Sequence, residues 1–392
     1  MATYHLSTRI QSNVPADSLL YDLCIYRMDS DRNKYILVDV KKQSLRDNYE
    51  TQSHMTENIN DPVTTIYIME VKVYRKTMLS SHDVMLIPFS KMYTLEEFAS
   101  GKSWSSIKRE NPSYFESEGT TNPESHGKEI ITIKISQPER PFIAKKYPIG
   151  TPQDPFEKNN TQIDIQERFY HRSYPNQNSA SVCGPAAFFY CLQMDRPDIY
   201  AQATRDLWQY GKTKIGALEI APGEGCRHPE GTFYNAYGPK ITGLDWMTLA
   251  GLRDSENAIF SFDTLDAPMA GITMWQTLAE WFEKAGYAKV FSNVGITQAG
   301  IQGIDDLNKY AMQGYKVITL INDSLLRDSA AEHTTYPTHW IVWNGPVTQG
   351  NDGFVNLNLF SWGYVSDQIK PQKDISFFIR RFFGGVVFKP LK

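Results

Sequence analysis

Apolar and polar residues alternate along much of the first hundred residues, which is the pattern of strands with one buried face. The clearest run is 64–74, where Glu70 and Lys72 separate apolar positions. The positions predicted to face the core are Tyr67, Met69, Val71 and Val73. Similar runs, rich in β-branched and aromatic residues, occur at 20–28, 34–40, 83–88 and 129–135. Several short strands with turn signals between them predict a small all-β sandwich or barrel over residues 1–136.

The second half of the chain shows a mixture of helical and strand periodicity. Helices are predicted directly after Cys183 and at 198–211, 244–252, 273–285 and 304–313. Strands of bulky residues are predicted at 315–322, at 339–345 and at 353–363, the last two as antiparallel partners. Residues 161–392 are therefore predicted to form an α+β domain.

Two segments break these patterns. Residues 100–128 are rich in Ser, Glu, Asn, Gly and Pro, with little apolar content, and predict a long exposed loop. Residues 137–160 contain prolines at 138, 141, 148, 152 and 155, a spacing that resists both helix and central strand. This second segment is predicted to be the linker between the two domains.

The composition of the chain argues against some classes of function. The chain has 392 residues and a formal net charge of −4, which argues against a nucleic-acid binder driven by electrostatics. No run of about 18 apolar residues occurs, so no transmembrane segment is expected. The first residues lack the design of a signal peptide, so we expect cytoplasmic synthesis without one, and any export by a specialised secretion system.

The cysteines point to chemistry rather than to cross-links. Four cysteines, widely scattered, are too few for a disulfide framework. Cys226 and His228 have no second pair of ligands at a suitable spacing, so no metal is predicted, and no cofactor motif is present. The informative cysteine is Cys183, which follows a polar loop and opens an apolar helix of small residues. A thiol in the first turn of a helix feels the positive end of the helix dipole, which favours the thiolate.

The residues around Cys183 suggest an acyl-transfer site. Gly184 would let a substrate approach the backbone, and Gln177, six residues before the cysteine, could place a neutral donor beside the thiol. His339 opens a strand 339 − 183 = 156 residues later and is the candidate partner of the thiol. That separation is slightly beyond the roughly 130–150 residues typical of papain-type enzymes.

This combination resembles the papain-like cysteine peptidase superfamily. The shared residues are Gln-x5-Cys-Gly, the His-Trp-Ile-Val strand and the closing Ser361-Trp-Gly363, and the similarity is nearest to the bacterial double-glycine, bacteriocin-processing peptidases. It covers about residues 165–392 and leaves the first 150 unexplained. The resemblance implies a helical layer and an antiparallel sheet that meet at a cleft. It also implies Cys183 as nucleophile, His339 as general base and acid, and Gln177 with the Cys183 N–H as oxyanion hole.

The sequence departs from the family at the residue that orients the imidazole. If Ser361-Trp-Gly363 is aligned with the family's ending, Phe360 occupies the position of the expected Asn or Asp. Asn358 and Asn356 would share a strand face with that position. The prediction is therefore that Asn358 orients His339, or that a Cys–His dyad acts alone.

The leading hypothesis is a two-domain thiol hydrolase that cuts a protein or peptide substrate, with a β-rich binding or delivery domain in front. A bacterial effector or toxin fits this organisation, with delivery machinery and an immunity or inhibitor protein as candidate partners. A peptidoglycan amidase or endopeptidase, a deamidase and an acyltransferase would use the same residues. From another class, a catalytically degenerate papain-like binding protein is the alternative, and Phe360 is the feature that favours it.

Overall fold

The chain divides into two compact units in the computed structural model, Met1–Met28 with Asn33–Arg140, and Asp29–Arg32 with Pro141–Lys392. The structure describes residues 3–10, 12, 14–76, 80–85, 88–100, 114–116, 133–135, 140–178, 180–256, 272–327, 336–369 and 373–392. Helices and antiparallel strands are both abundant, so the predicted α+β class is confirmed.

The first unit is β-rich, as its alternating pattern predicts. Its helical elements are a 3-10 turn at Ala16–Ser18 and α1 at Leu95–Ser100. Its strands are β1 His5–Leu6, β2 Leu19–Met28, β3 Lys34–Ser44, β4 His54–Met55, β5 Ile66–Lys76, β6 Ser81–Asp83, β7 Phe89–Thr94, β8 Tyr114–Glu116 and β9 Ile133–Ile135. In the described residues, β3-β2-β5-β6 with β7 form one five-stranded antiparallel sheet, and β1-β4 and β8-β9 form pairs. The closed barrel or second full sheet of the expected sandwich is not seen in this part of the chain.

The core of this unit lies where the alternation in β5 places it. Tyr67, Met69, Val71 and Val73 are all buried in one cluster, which confirms their predicted face. The predicted loop 100–128 is only partly described. Residues 114–116 within it form a strand paired with β9, while 101–113 and 117–132 lie outside the described residues.

The second unit contains helices and one large sheet. Its helices are α2 Lys158–Phe169, α3 Cys183–Asp195, α4 Pro197–Tyr210, α5 Glu224–Arg227, α6 Gly243–Asp245, α7 Gly251–Glu256, α8 Trp275–Lys284, α9 Gly300–Ala311 and α10 Ile375–Ile379. A π-helical turn, Trp246–Ala250, joins α6 to α7, and a 3-10 turn occupies Asp323–Leu325. Its strands are β10 Thr213–Ile215, β11 Leu218–Ile220, β12 Tyr234–Asn235, β13 Gly238–Pro239, β14 Lys289–Ser292, β15 Lys316–Ile321, β16 His339–Trp343, β17 Thr348–Gln349, β18 Val355–Asn356, β19 Asn358–Ser361, β20 Tyr364–Asp367 and β21 Phe382–Phe388.

Six of these strands form the sheet that carries the candidate site. Their order is β14-β21-β15-β16-β19-β20, and every neighbouring pair is antiparallel, including the predicted pair β16 and β19. Leu307 of α9 joins a core on one face with Ile341. On the other face, Tyr190 of α3 stacks on Phe360 at 4.0 Å between ring centroids. Helices therefore cover both faces of the sheet.

Helix α3 is the central helix of this unit, because nearly all of its thirteen residues are buried. A helix that is apolar all round must be surrounded by protein, and α3 is enclosed by α4, α8 and the sheet. The following helix begins with Pro197 in its first turn and ends at Gly211, whose φ of +69° provides the predicted left-handed cap. None of the described helices is long and apolar enough to cross a membrane.

The predicted linker 137–160 is wrong from residue 141 onward, because this segment packs into the second unit. Phe142 and Phe156 are completely buried, with their rings 5.4 Å apart. The Ile143 N–H donates to the Arg227 carbonyl at 3.0 Å. Closely spaced prolines exclude regular helix and central strand but do not prevent burial. The two phenylalanines were the overlooked signal.

Candidate active site

Cys183 is the first residue of α3, and its sulfur lies among backbone N–H groups. Val182 precedes the helix without a side-chain cap, so the N–H groups of the first turn have no partner within the helix. The backbone N–H groups of Cys183, Gly184 and Trp340 lie near the sulfur, where they favour its charged form. The side chain is only 5% exposed, so the thiol is almost completely enclosed.

Burial dominates the protonation of this thiol. Desolvation raises the Cys183 pKa to about 11, although the three N–H groups and the charge of Arg253 act in the opposite direction. The position at a helix N-terminus therefore does not by itself produce a thiolate, and the thiol is protonated near neutral pH in this closed arrangement.

His339, the first residue of β16, is held on two sides. Its Nε2 shares a hydrogen bond of 2.8 Å with the Ser361 hydroxyl, and its ring stacks on Trp362 at 4.6 Å. The side chain is 4% exposed, and this burial lowers the His339 pKa to about 4, against a smaller raising effect of Asp323. The imidazole is therefore neutral at pH 7 and fixed in orientation.

The start of α3 and the start of β16 meet at Cys183. The N–H that reaches the sulfur from the sheet belongs to Trp340, the residue that directly follows His339. Cys183 and Trp340, 340 − 183 = 157 positions apart in sequence, are thus brought close together. Within the described residues, no hydrogen bond joins the sulfur to the imidazole, whose Nε2 is occupied by Ser361.

Gln177 lies in the tight loop before α3 and is 6% exposed. Its Nε2 donates to the Ala180 carbonyl at 3.0 Å, and the Ala180 N–H donates back to the Gln177 carbonyl at 2.9 Å. A side-chain amide has two N–H donors, so one remains for a substrate. The neighbouring Asn176 packs closely on Gly363: a Cβ added to Gly363 would lie 2.8 Å from the Asn176 Cβ.

The prediction that Asn358 orients His339 is corrected by the strand register. The Asn344 N–H donates to the Asn358 carbonyl at 2.9 Å, so Asn358 lies opposite a residue five positions along from His339. Five residues of strand span about 17 Å. Asn358 is also exposed. Phe360 stacks on Tyr190, on the face of the sheet opposite to that of the adjacent Ser361. Ser361 makes the hydrogen bond that was assigned to Asn358.

Sequence reasoning missed two residues beside the thiol, Arg253 and Thr273. Arg253 Nη1 donates to Thr273 Oγ1 at 3.4 Å. Thr273 in turn packs on Gly184, where an added Cβ would lie 2.7 Å from the threonine Cβ. The helix was expected to end at residue 252, and no sequence signal places a residue of α7 near Cys183. Only the chain path through the π-helical turn does so.

A cavity of about 850 Å³ adjoins the imidazole on the side of Trp362. Asp352 and Asp367 give it acidic character, and Tyr364 and Phe354 contribute aromatic walls. Trp362 both lines this cavity and stacks on His339, so the cavity is a candidate space for part of a substrate. The described residues contain no cluster of three or more His, Cys, Asp or Glu side chains arranged to hold a metal ion.

Comparison of the chain with protein-family models, with curated proteins and with solved structures gave no match.

Proposed function

We propose that the second unit is a papain-like thiol hydrolase that cuts an amide bond in a protein or peptide. The observation that carries this proposal is the contact between the Cys183 sulfur and the Trp340 N–H, because it brings the nucleophile to the strand that His339 opens. Cys183 lies at a helix terminus without a side-chain cap, and its helix packs against the strand that His339 opens, a placement that an ordinary buried cysteine does not need.

The proposed reaction uses residues in the following way. The Cys183 sulfur attacks the amide carbonyl carbon, and His339 takes the thiol proton and later gives it to the leaving amine. The second N–H of Gln177 and the Cys183 N–H would donate to the oxyanion, each typically contributing about 3–4 kcal/mol. Water then hydrolyses the thioester with His339 as base. Ser361 and Trp362 act as positioning residues that hold the ring.

The closed arrangement represents a resting state under this proposal. Burial holds the Cys183 pKa near 11 and the His339 pKa near 4, so both groups are neutral at pH 7. A substrate that enters must replace the protein groups that cover the site. Proton transfer from sulfur to imidazole then becomes favourable as the oxyanion receives its hydrogen bonds.

The test is the reaction of the native protein with iodoacetamide across pH, mapped residue by residue by mass spectrometry. We expect Cys183 to react faster than the other cysteines, with a rate that rises above pH 8 because the thiol is protonated near neutral pH, and His339→Ala to slow this reaction. Cys191, also buried and on the same helix, is the internal control. A search for new N-termini in a peptide mixture, with Cys183→Ala as the inactive reference, then identifies the cleaved bond. If Cys183 reacts no faster than Cys191, the hydrolase proposal is abandoned.

A binding protein on the same scaffold is the second candidate. The enclosure of Cys183 and His339, each at most 5% exposed, is the observation that favours it. Such a protein would show no selective alkylation of Cys183 and no Cys183-dependent cleavage. The same two measurements therefore separate the candidates.

A further inference from the structure

Arg253 brings a positive charge to the thiol from a helix that the proposed reaction does not use. Its Nη1 donates to Thr273 Oγ1, and Thr273 packs directly on Gly184, the neighbour of Cys183. Trp340 Nε1 donates to the Thr273 carbonyl at 2.9 Å, which fixes this threonine between α3 and β16. Thr273, which is itself held by Trp340, thus places the Arg253 guanidinium near Cys183.

The charge of Arg253 is not balanced by any carboxylate in the described part of the chain. The adjacent Asp254 uses its carboxylate on the Gly223 N–H at 2.7 Å. Burial opposes the guanidinium charge, and among the described residues the opposite charge that would favour it is that of Cys183 once deprotonated. A half-buried cation without a carboxylate partner costs free energy, so its position near a candidate active site favours an anionic ligand.

The chemistry of the guanidinium specifies that ligand. Arginine has five N–H donors in a planar fork that matches a carboxylate. Among the described residues, the hydrogen bond from Arg253 to Thr273 is long and uses a single donor. The acid–base role beside the sulfur already belongs to His339 in the proposed reaction. The remaining donors of Arg253 point to anion recognition.

We propose that Arg253 binds a carboxylate that the substrate carries next to the bond attacked by Cys183. This inference rests on the proposed thiol hydrolase and narrows its substrates to amides with a neighbouring acidic side chain or free carboxylate. A bidentate guanidinium–carboxylate pair would also fix the scissile carbonyl at the sulfur, because it removes rotational freedom from the substrate.

The test compares two pairs of alkylating reagents that differ only in charge: iodoacetate with iodoacetamide, and 3-iodopropionate with 3-iodopropionamide. In each case a sulfur–carbon bond forms, the carbon–iodine bond breaks, iodide leaves and the thiol proton passes to the base or solvent. Rates at Cys183 are measured at pH 8 in the full chain and normalised to the same cysteine in urea. At this pH the imidazole of His339 is neutral, so it cannot attract the anionic reagents.

We expect at least one anionic reagent to label native Cys183 about tenfold faster than its neutral partner, with a rate that saturates with concentration. Arg253→Gln should remove this preference, Arg253→Lys should keep part of it, and Arg205→Gln, an exposed arginine on α4, should leave it unchanged. Fast labelling without charge preference, or a preference that survives Arg253→Gln, overturns the inference and leaves the hydrolase proposal intact. No selective labelling of Cys183 by any of the four reagents overturns both.

Discussion

The two ends of α3 each bury a thiol, yet they differ in how the charges around it are balanced. At the C-terminal end, Cys191 is fully buried, and burial raises its pKa far above the ordinary value. Lys316 lies 2.7 Å from Asp195 in an ion pair. Arg196 makes two hydrogen bonds to Asp198, of 2.9 and 2.8 Å. Both cations at this end have a carboxylate partner, which offsets the cost of burying their charge.

The N-terminal end is organised differently. Three backbone N–H groups lie near the Cys183 sulfur, and His339 has a neutral hydroxyl rather than a carboxylate as its hydrogen-bond partner. Arg253 has no carboxylate partner among the described residues. Paired charges stabilise one end, while donors and a cation without an acidic partner remain at the other. The comparison suggests that one end is structural and that the other is arranged for a ligand.

Removing the two thiols separately should give the largest contrast. Cys183→Ala deletes the proposed nucleophile, and we expect the rate of amide cleavage to fall by about 10⁴-fold or more. Cys191→Ala should retain the rate and lose roughly 1 kcal/mol of unfolding free energy, because only a buried sulfur is removed. Cleavage rates on the bond identified by N-terminal mapping provide the measurement. Equal rates in the two variants would show that the ends of the helix do not differ in function.

Breaking a charge pair at the C-terminal end should be costly for stability. Asp198→Asn removes the negative charge that pairs with the completely buried Arg196, and we expect a loss of about 3–5 kcal/mol in unfolding free energy. Glu230→Gln, in the exposed pair with Lys145, is the matched control and should cost far less, because solvent screens this pair. Urea denaturation monitored by tryptophan fluorescence measures both. Similar losses in the two variants would contradict a structural role for the buried pair.

Local patterns in the sequence were sufficient to predict several elements of this fold. The alternation in β5 identified its buried face, Gly211 marked the end of α4, and the runs around His339 and Phe360 predicted an antiparallel pair. Each of these features depends on neighbours a few residues away. The papain-like identity of the domain and the partner of the first unit stay predictions.

Features that depend on register or on long-range packing could not be predicted. The choice between Asn358 and Ser361 depends on strand register, because adjacent residues point to opposite faces and a small error exchanges them. Arg253 reaches the thiol only through the packing of a helix with a π-helical turn. The burial of Phe142 depends on residues some 80 positions away, including Arg227, with which the neighbouring Ile143 pairs.

The buried imidazole of His339, near the N-terminal end of α3, should make the stability of the protein sensitive to acid. The His339 pKa is about 4 in the folded chain and about 6.5 when unfolded, so the unfolded chain binds the proton more tightly. His339 therefore does not lower the unfolding free energy above pH 6.5. The unfolding free energy falls as the pH drops from 6.5 through 4, by about 3 kcal/mol in total. We expect His339→Gln to lack this loss and Cys191→Ala to retain it. Urea denaturation between pH 4 and 7 tests this, and parallel curves for wild type and His339→Gln would contradict it.

Substituting Ser361, which holds the imidazole of His339, should have the smallest effect of these changes. Ser361→Ala removes the 2.8 Å hydrogen bond to Nε2, and we expect kcat to fall about tenfold with little change in KM. Asn358→Ala, on the same strand but exposed, should leave both constants unchanged. Ser361→Thr restores a hydroxyl and should recover much of the rate, which a purely structural role of this serine would not require. If Asn358→Ala reduces kcat and Ser361→Ala does not, the register described for β16 and β19 does not represent the active protein.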